Sequence, residues 1–162
     1  MNKQPAKFSA GAAMVEFALI VTLLVMLVFG ITELGRALFQ WNTLTKAVVT
    51  GTRYMARANG EVVNPDCTEG ANWAAFRDRA ENLVKTGQTA SGGTELLNAI
   101  TVTTFEVLPR QFSYSGNTKN ACVINIVAQS EFDSIFGGSI IPFINLDLIT
   151  LTARTEERYI GE

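Results

Sequence analysis

Between Ala12 and Thr32 the chain runs 21 residues with a single charge, Glu16. As a helix that run is about 31 Å long, enough to cross the hydrocarbon core of a bilayer. Beyond it the apolar positions recur every seven residues. Leu34, Trp41, Val48 and Met55 form one line, and Ala37, Leu44, Gly51 and Ala58 form the next. This reads as an amphipathic continuation of the same helix, with Glu33, Arg36, Gln40, Lys46, Arg53 and Arg57 mostly off the stripe. Asn59-Gly60 is a plausible stop, so the predicted helix covers Ala12 to Ala58, 47 residues. Gly30, Gly35 and Gly51 each weaken it by about 1 kcal/mol relative to alanine and mark close approach, local melting or simple tolerance.

A loop with Pro65 and Cys67 follows. Trp73, Phe76, Ala80, Leu83 and Val84 then fall at helical spacing, with Asn72 as N-cap and Gly87 as stop. The stripe is core-like rather than a ligand site. Thr86 to Thr94, with Gly92-Gly93, reads as a loop. Three runs rich in Val, Ile and Thr, Ala99–Leu108, Ala121–Phe132 and Leu146–Arg154, read as strands, the first two joined by a turn at Ser115-Gly116-Asn117. The connection from Asp133 to Asn145 is unusually apolar, with Ile135, Phe136, Ile140, Ile141, Phe143 and Ile144. Such a loop marks a contact with a partner or membrane, with Phe136 and Phe143 as the contact residues, or it is buried against the helix stripe.

Composition narrows the function. The chain is 162 residues with a net charge of −2 and no histidine. Without histidine the Ser-His and Cys-His nucleophiles and the common zinc sites drop out. There is no Gly-rich phosphate loop, CxxC or HExxH motif, and no basic footprint for nucleic acid. No enzyme activity, metal or cofactor is expected; a membrane-tethered enzyme would need a carboxylate-only site. Lys3 and Lys7 precede the apolar run, so the positive-inside rule puts that end in the cytoplasm and the bulk of the chain outside. There a disulfide between Cys67 and Cys122 is permitted; the alternative is two buried free thiols.

Glu16 works against insertion, by roughly 2.5–3.5 kcal/mol at a helix centre and less near an end. A cleavable secretory signal does not fit, because the apolar core is long and Thr32-Glu33-Leu34-Gly35-Arg36 offers no small-x-small site. A plain signal anchor leaves Glu16 unexplained, unless the side chain snorkels to water at the cytoplasmic interface.

Gly11 followed by Ala12-Ala13-Met14-Val15-Glu16-Phe17 resembles the processing site of type IV-like prepilins, in the form used by Flp/Tad (tight adherence) pili. Phe29 to Ala37, Ala47 to Tyr54 and, more loosely, Val123 to Phe132, Pro142 and Ile149 to Arg154 are similar to TadE-like pseudopilins. The resemblance implies that a prepilin peptidase cuts after Gly11, leaving Ala12 as the new N-terminus and Glu16 as the fifth residue, with Phe17 completing the Glu-aromatic pair. It further implies that Glu16 meets the N-terminal amine of a neighbouring subunit. In an apolar bundle such a pair is worth more than in water and offsets the desolvation of the carboxylate.

The resulting expectation is an α+β, pilin-like fold: a long N-terminal helix, transmembrane then amphipathic, packed on a short helix and a three-stranded antiparallel sheet. Residues 1–11 would be a cytoplasmic leader, 12–32 the transmembrane half, 33–58 the amphipathic half and 59–162 the periplasmic or extracellular domain. The function implied is a minor pilin (pseudopilin) of a bacterial Tad-type pilus or secretion system, sited in the inner membrane or in the filament. Its partners would be a prepilin peptidase, other pilin subunits, the inner-membrane platform and membrane lipid. The alternative is an uncleaved single-pass binding or sensory module, which predicts indifference to Glu16.

Overall fold

The computed structural model describes residues 10–59, 62–63, 66–114, 117–135 and 149–161. Helix α1 covers Ala10–Ala56 without a break, 47 residues or about 70 Å. A two-stranded ribbon follows, β1 (Val62–Val63) antiparallel to β2 (Thr68–Glu69). Then come α2 (Trp73–Thr86) and three strands, β3 (Thr101–Tyr114), β4 (Asn117–Glu131) and β5 (Thr150–Arg158). The strands form one antiparallel sheet in the order β3-β4-β5. The architecture is α+β, as the sequence pattern predicts.

The sheet's inner face is the floor of the core. Along β4, Cys122, Ile124, Ile126, Ala128 and Ser130 alternate onto that face, each at most 3% exposed. They meet Leu44, Val48, Met55 and Ala56 of α1 and Ala80 and Val84 of α2 in one cluster. Gly51 lets the two helices touch. A Cβ there would stand 2.6 Å from Val84 Cγ2 and 3.2 Å from the Ala80 carbonyl, whereas Gly30 and Gly35 face open space. Close approach therefore explains Gly51, and tolerance explains the other two.

Several predicted boundaries move. β3 continues six residues past Leu108, through Pro109, because an edge strand can hold a proline whose missing N–H would bond nothing on its open side. β4 begins at Asn117 rather than Ala121, its polar start paired with Gln111–Tyr114. β5 runs to Arg158, since the register with β4 continues to Val123↔Arg158 despite the charged residues. Gly87 closes α2 in the left-handed conformation, φ 74°, with its N–H donating to the Leu83 carbonyl. Asn72 precedes α2 without a side-chain capping bond.

The heptad reading of α1 also needs correction. Leu34 is exposed and Trp41 lies at the domain's edge, its indole N–H donating to the Thr152 carbonyl at 3.1 Å, while Glu33 and Gln40, expected off the stripe, are buried. A straight α-helix drifts about 20° per heptad. A line that is buried at Met55 and Val48 has therefore rotated off the core by Trp41 and Leu34. The buried ridge instead follows Glu33, Gln40, Leu44, Ala47, Gly51 and Met55.

Both ends of the domain are tied down. A Cys67–Cys122 disulfide, Cα–Cα 5.3 Å, fastens the loop between β1 and β2 to the middle of β4. The last residues close over the C-terminus of α1. Ile160 and Gly161 N–H donate to the Ala56 carbonyl, and the Tyr159 hydroxyl donates to that of Ala58. Carbonyls that a helix end leaves without partners are satisfied in this way.

Candidate functional site

Gly11 and Ala12 lie in the first turn of α1, followed by Glu16 and Phe17 one turn on. Every residue from 11 to 20 is exposed, Phe17 by 65%. No described residue supplies Glu16 with a hydrogen bond or ion pair. The structure therefore brings Gly11, Ala12, Glu16 and Phe17 together on one free helix end, and keeps them apart from the disulfide at the other end of the molecule. Phe136 and Phe143 lie outside the described residues, as do Lys3 and Lys7.

From Gly11 on, α1 is long and apolar enough to cross a membrane, and its most apolar window is wholly unburied by the rest of the chain. Its polar side chains are accommodated locally. Thr22 and Thr32 hydroxyls donate to the Ala18 and Val28 carbonyls one turn back, 2.8 and 2.9 Å. Hydroxyls satisfied within the helix make no demand on water.

Where the domain first touches α1 there is a polar clamp that the hydrophobic pattern did not announce. Gln40 grips the main chain of Asp133 twice: its Nε2 donates to the carbonyl at 3.0 Å, and its Oε1 accepts from the N–H at 3.1 Å. Arg36 Nη2 donates to the same carbonyl at 2.9 Å and lies 3.9 Å from the Asp133 carboxylate. Glu33, fully buried, accepts from the Ile135 N–H at 3.0 Å, and its Oε2 has no partner among the described residues. The available signal was spacing: positions 33, 36 and 40 sit on the ridge that leads to Leu44.

A second feature lies at the far end, where Arg53 and Tyr54 of α1, Arg57 just past it, and Phe76 and Leu83 of α2 border a groove of about 570 Å³. Arg79 lies 5.4 Å over the Phe76 ring. On the sheet's outer face, Arg110 and Arg154 both bond Glu156 and hold its carboxyl below the usual carboxylate range, Arg110 contributing most. Among the described residues no group of acidic, cysteine or histidine side chains could hold a metal ion.

The apolar, unpartnered helix that starts at Gly11 is also where comparison with known proteins finds its match. The family model described as TadE-like protein covers residues 11–53. This helix is TadE-like. No curated protein and no solved structure matches the chain. The match covers the helix and not the sheet domain, so it is the helix that is similar to TadE-like proteins, a family associated with Tad pili. The long apolar helix fits a single-pass membrane anchor. The match begins at Gly11 and ends within the last turn of α1, so it includes Glu16, the clamp residues and Gly51.

Proposed function

We propose that the protein is a minor pilin of a Tad-type system. A prepilin peptidase cuts it after Gly11, and Glu16 then guides its packing against neighbouring subunits. The observation that carries this reading is the free end of α1. A carboxylate stands four residues past a glycine-alanine bond, on an apolar helix that, among the described residues, nothing buries until Glu33. Residues 1–11 are the leader, 12–32 the membrane reservoir, 33–58 the spine of the outer domain and 59–162 its partner-facing part. The leader lies in the cytoplasm and the domain outside the inner membrane.

The chemistry follows from the cut. Cleavage frees an α-amino group at Ala12, cationic below its ordinary pKa of about 7.7–8.0. Glu16, without an ion pair among the described residues, is the counter-ion such an amine would seek in an adjacent helix. A subunit out of register leaves both charges unpaired in a low-dielectric bundle, which disfavours the wrong stagger.

The deciding measurement is the N-terminal residue of the protein from its native membranes, by mass spectrometry. Ala12 at the N-terminus, abolished by Gly11→Leu, is the expected result. A leader that remains intact in cells with an active peptidase would overturn the assignment in favour of an uncleaved anchored module.

A further inference from the structure

We infer that the rim of the domain nearest the apolar helix is seated in the outer-leaflet headgroup layer, with the α1 surface Leu34, Leu38, Phe39 and Trp41 in contact with lipid. The surface of α1 that the domain leaves uncovered stays apolar well past Thr32. Ile31, Leu34, Leu38 and Phe39 are exposed, Phe39 by 72%, and Trp41 stands at the domain's edge, 44% exposed, with its indole N–H donating to the Thr152 carbonyl at 3.1 Å. At Trp41 the outward arc changes character and continues as Asn42, Thr45, Lys46, Thr50, Arg53 and Arg57. Between Glu16 and Lys46 it carries no charge, because Glu33 and Arg36 are turned toward the domain and its Asp133–Ile135 main chain.

Length agrees with that boundary. From Ala12 to Trp41 is about 45 Å of helix, close to the roughly 40–45 Å of a bilayer with its headgroups. With Ala12–Glu16 in the inner headgroup layer, a core of about 30 Å takes the helix from Phe17 to about Arg36, and Ala37–Trp41 cross the outer headgroup layer. Trp41 then stands in the interfacial layer, the depth that tryptophans favour.

The clamp supplies what that depth demands of irregular backbone. Main chain near the hydrocarbon needs its polar groups satisfied by protein. The Asp133 N–H and C=O and the Ile135 N–H are all bonded by side chains of α1, and the Phe132 N–H donates to the Ile149 carbonyl. Ile135 is 61% exposed on this rim. The Arg36–Asp133 pair, both partly exposed, sits at headgroup level. The surface continues the membrane-spanning face without a break, which favours lipid over a second protein. The inference rests on α1 crossing the bilayer and is independent of whether Gly11 is cut.

The two tryptophans make the test direct, because Trp73 is buried in the core and Trp41 is 44% exposed. The full chain is reconstituted at low density in phosphatidylcholine–phosphatidylglycerol vesicles, with and without acyl-brominated lipid. Brominated lipid should quench most of the Trp41 emission, with little quenching by aqueous iodide. The lipid effect should vanish in Trp41→Phe. Moving the probe one turn down (Trp41→Phe with Leu38→Trp) should strengthen lipid quenching. Moving it up (Trp41→Phe with Lys46→Trp) should exchange it for iodide access. Trp41 open to iodide but not to brominated lipid would overturn the inference, with the rim standing in water. Trp41 closed to both would overturn it in favour of cover by a second copy.

Discussion

The two halves of α1 share one uninterrupted backbone but differ in what surrounds them. Gly11–Thr32 has no contact that hides it, and a Cβ on Gly30 would meet nothing. Glu33–Ala56 is enclosed on one side by α2, β4 and β5, and a Cβ on Gly51 would strike Val84. Helicity in the upper half thus rests on tertiary packing of one face. In the lower half it rests on whatever apolar medium surrounds all of it, lipid or the helices of other subunits. Only the lower half can exchange one apolar partner for another, which is the division that the proposed pilin role requires.

The largest test of the division is the disulfide. Replacing Cys67 and Cys122 together by alanine opens a loop of 55-residue separation and should cost about 4 kcal/mol by loop-closure entropy. Chemical denaturation of the full chain in detergent, followed by Trp73 fluorescence, should show the loss. Far-UV helicity of the lower half should survive past the domain transition. A single transition in which all helicity disappears together would mean that the halves are not independent.

Glycine replacements probe the same contrast at smaller amplitude. Gly51→Ala should destabilise the domain by about 1–3 kcal/mol, the usual range for overpacking. Gly30→Ala should leave the domain transition unmoved and add about 1 kcal/mol of helix propensity to the lower half. Equal shifts for the two would erase the distinction drawn from their surroundings.

That contrast also separates what was legible in the sequence from what was not. The long helix, α2 and the three strands were legible because each carries its own period over eight or more residues. The apolar end with Gly11 and Glu16 was legible because a charge in such a run is conspicuous. The β1–β2 ribbon was not, since two-residue strands carry no period. The clamp was hidden for a different reason. On an amphipathic helix Glu33, Arg36 and Gln40 read as solvated, and only the fold reveals that main chain from about a hundred positions away needs their hydrogen bonds. The predicted end at Leu108 erred in the opposite sense, since β3 continues through Pro109, which an edge strand tolerates.

The finest test lies where the two halves meet. Gln40→Leu keeps the size of the side chain but removes both of its bonds to Asp133. The Asp133 carbonyl still accepts from Arg36, while the N–H loses its one bond. Asp133 is an exposed residue, so water can partly replace the partner, and the expected loss is about 1 kcal/mol. Stability alone would be an ambiguous readout at that size, and hydrogen exchange resolves it residue by residue. The Asp133 amide should exchange faster in the variant, while Phe132, bonded to Ile149, and Ile135, bonded to Glu33, keep their protection. Faster exchange at all three would show that Gln40 holds the whole rim onto α1. Unchanged exchange at Asp133 would mean that the rim is held from elsewhere, and the boundary between the halves would have to be redrawn above Gln40.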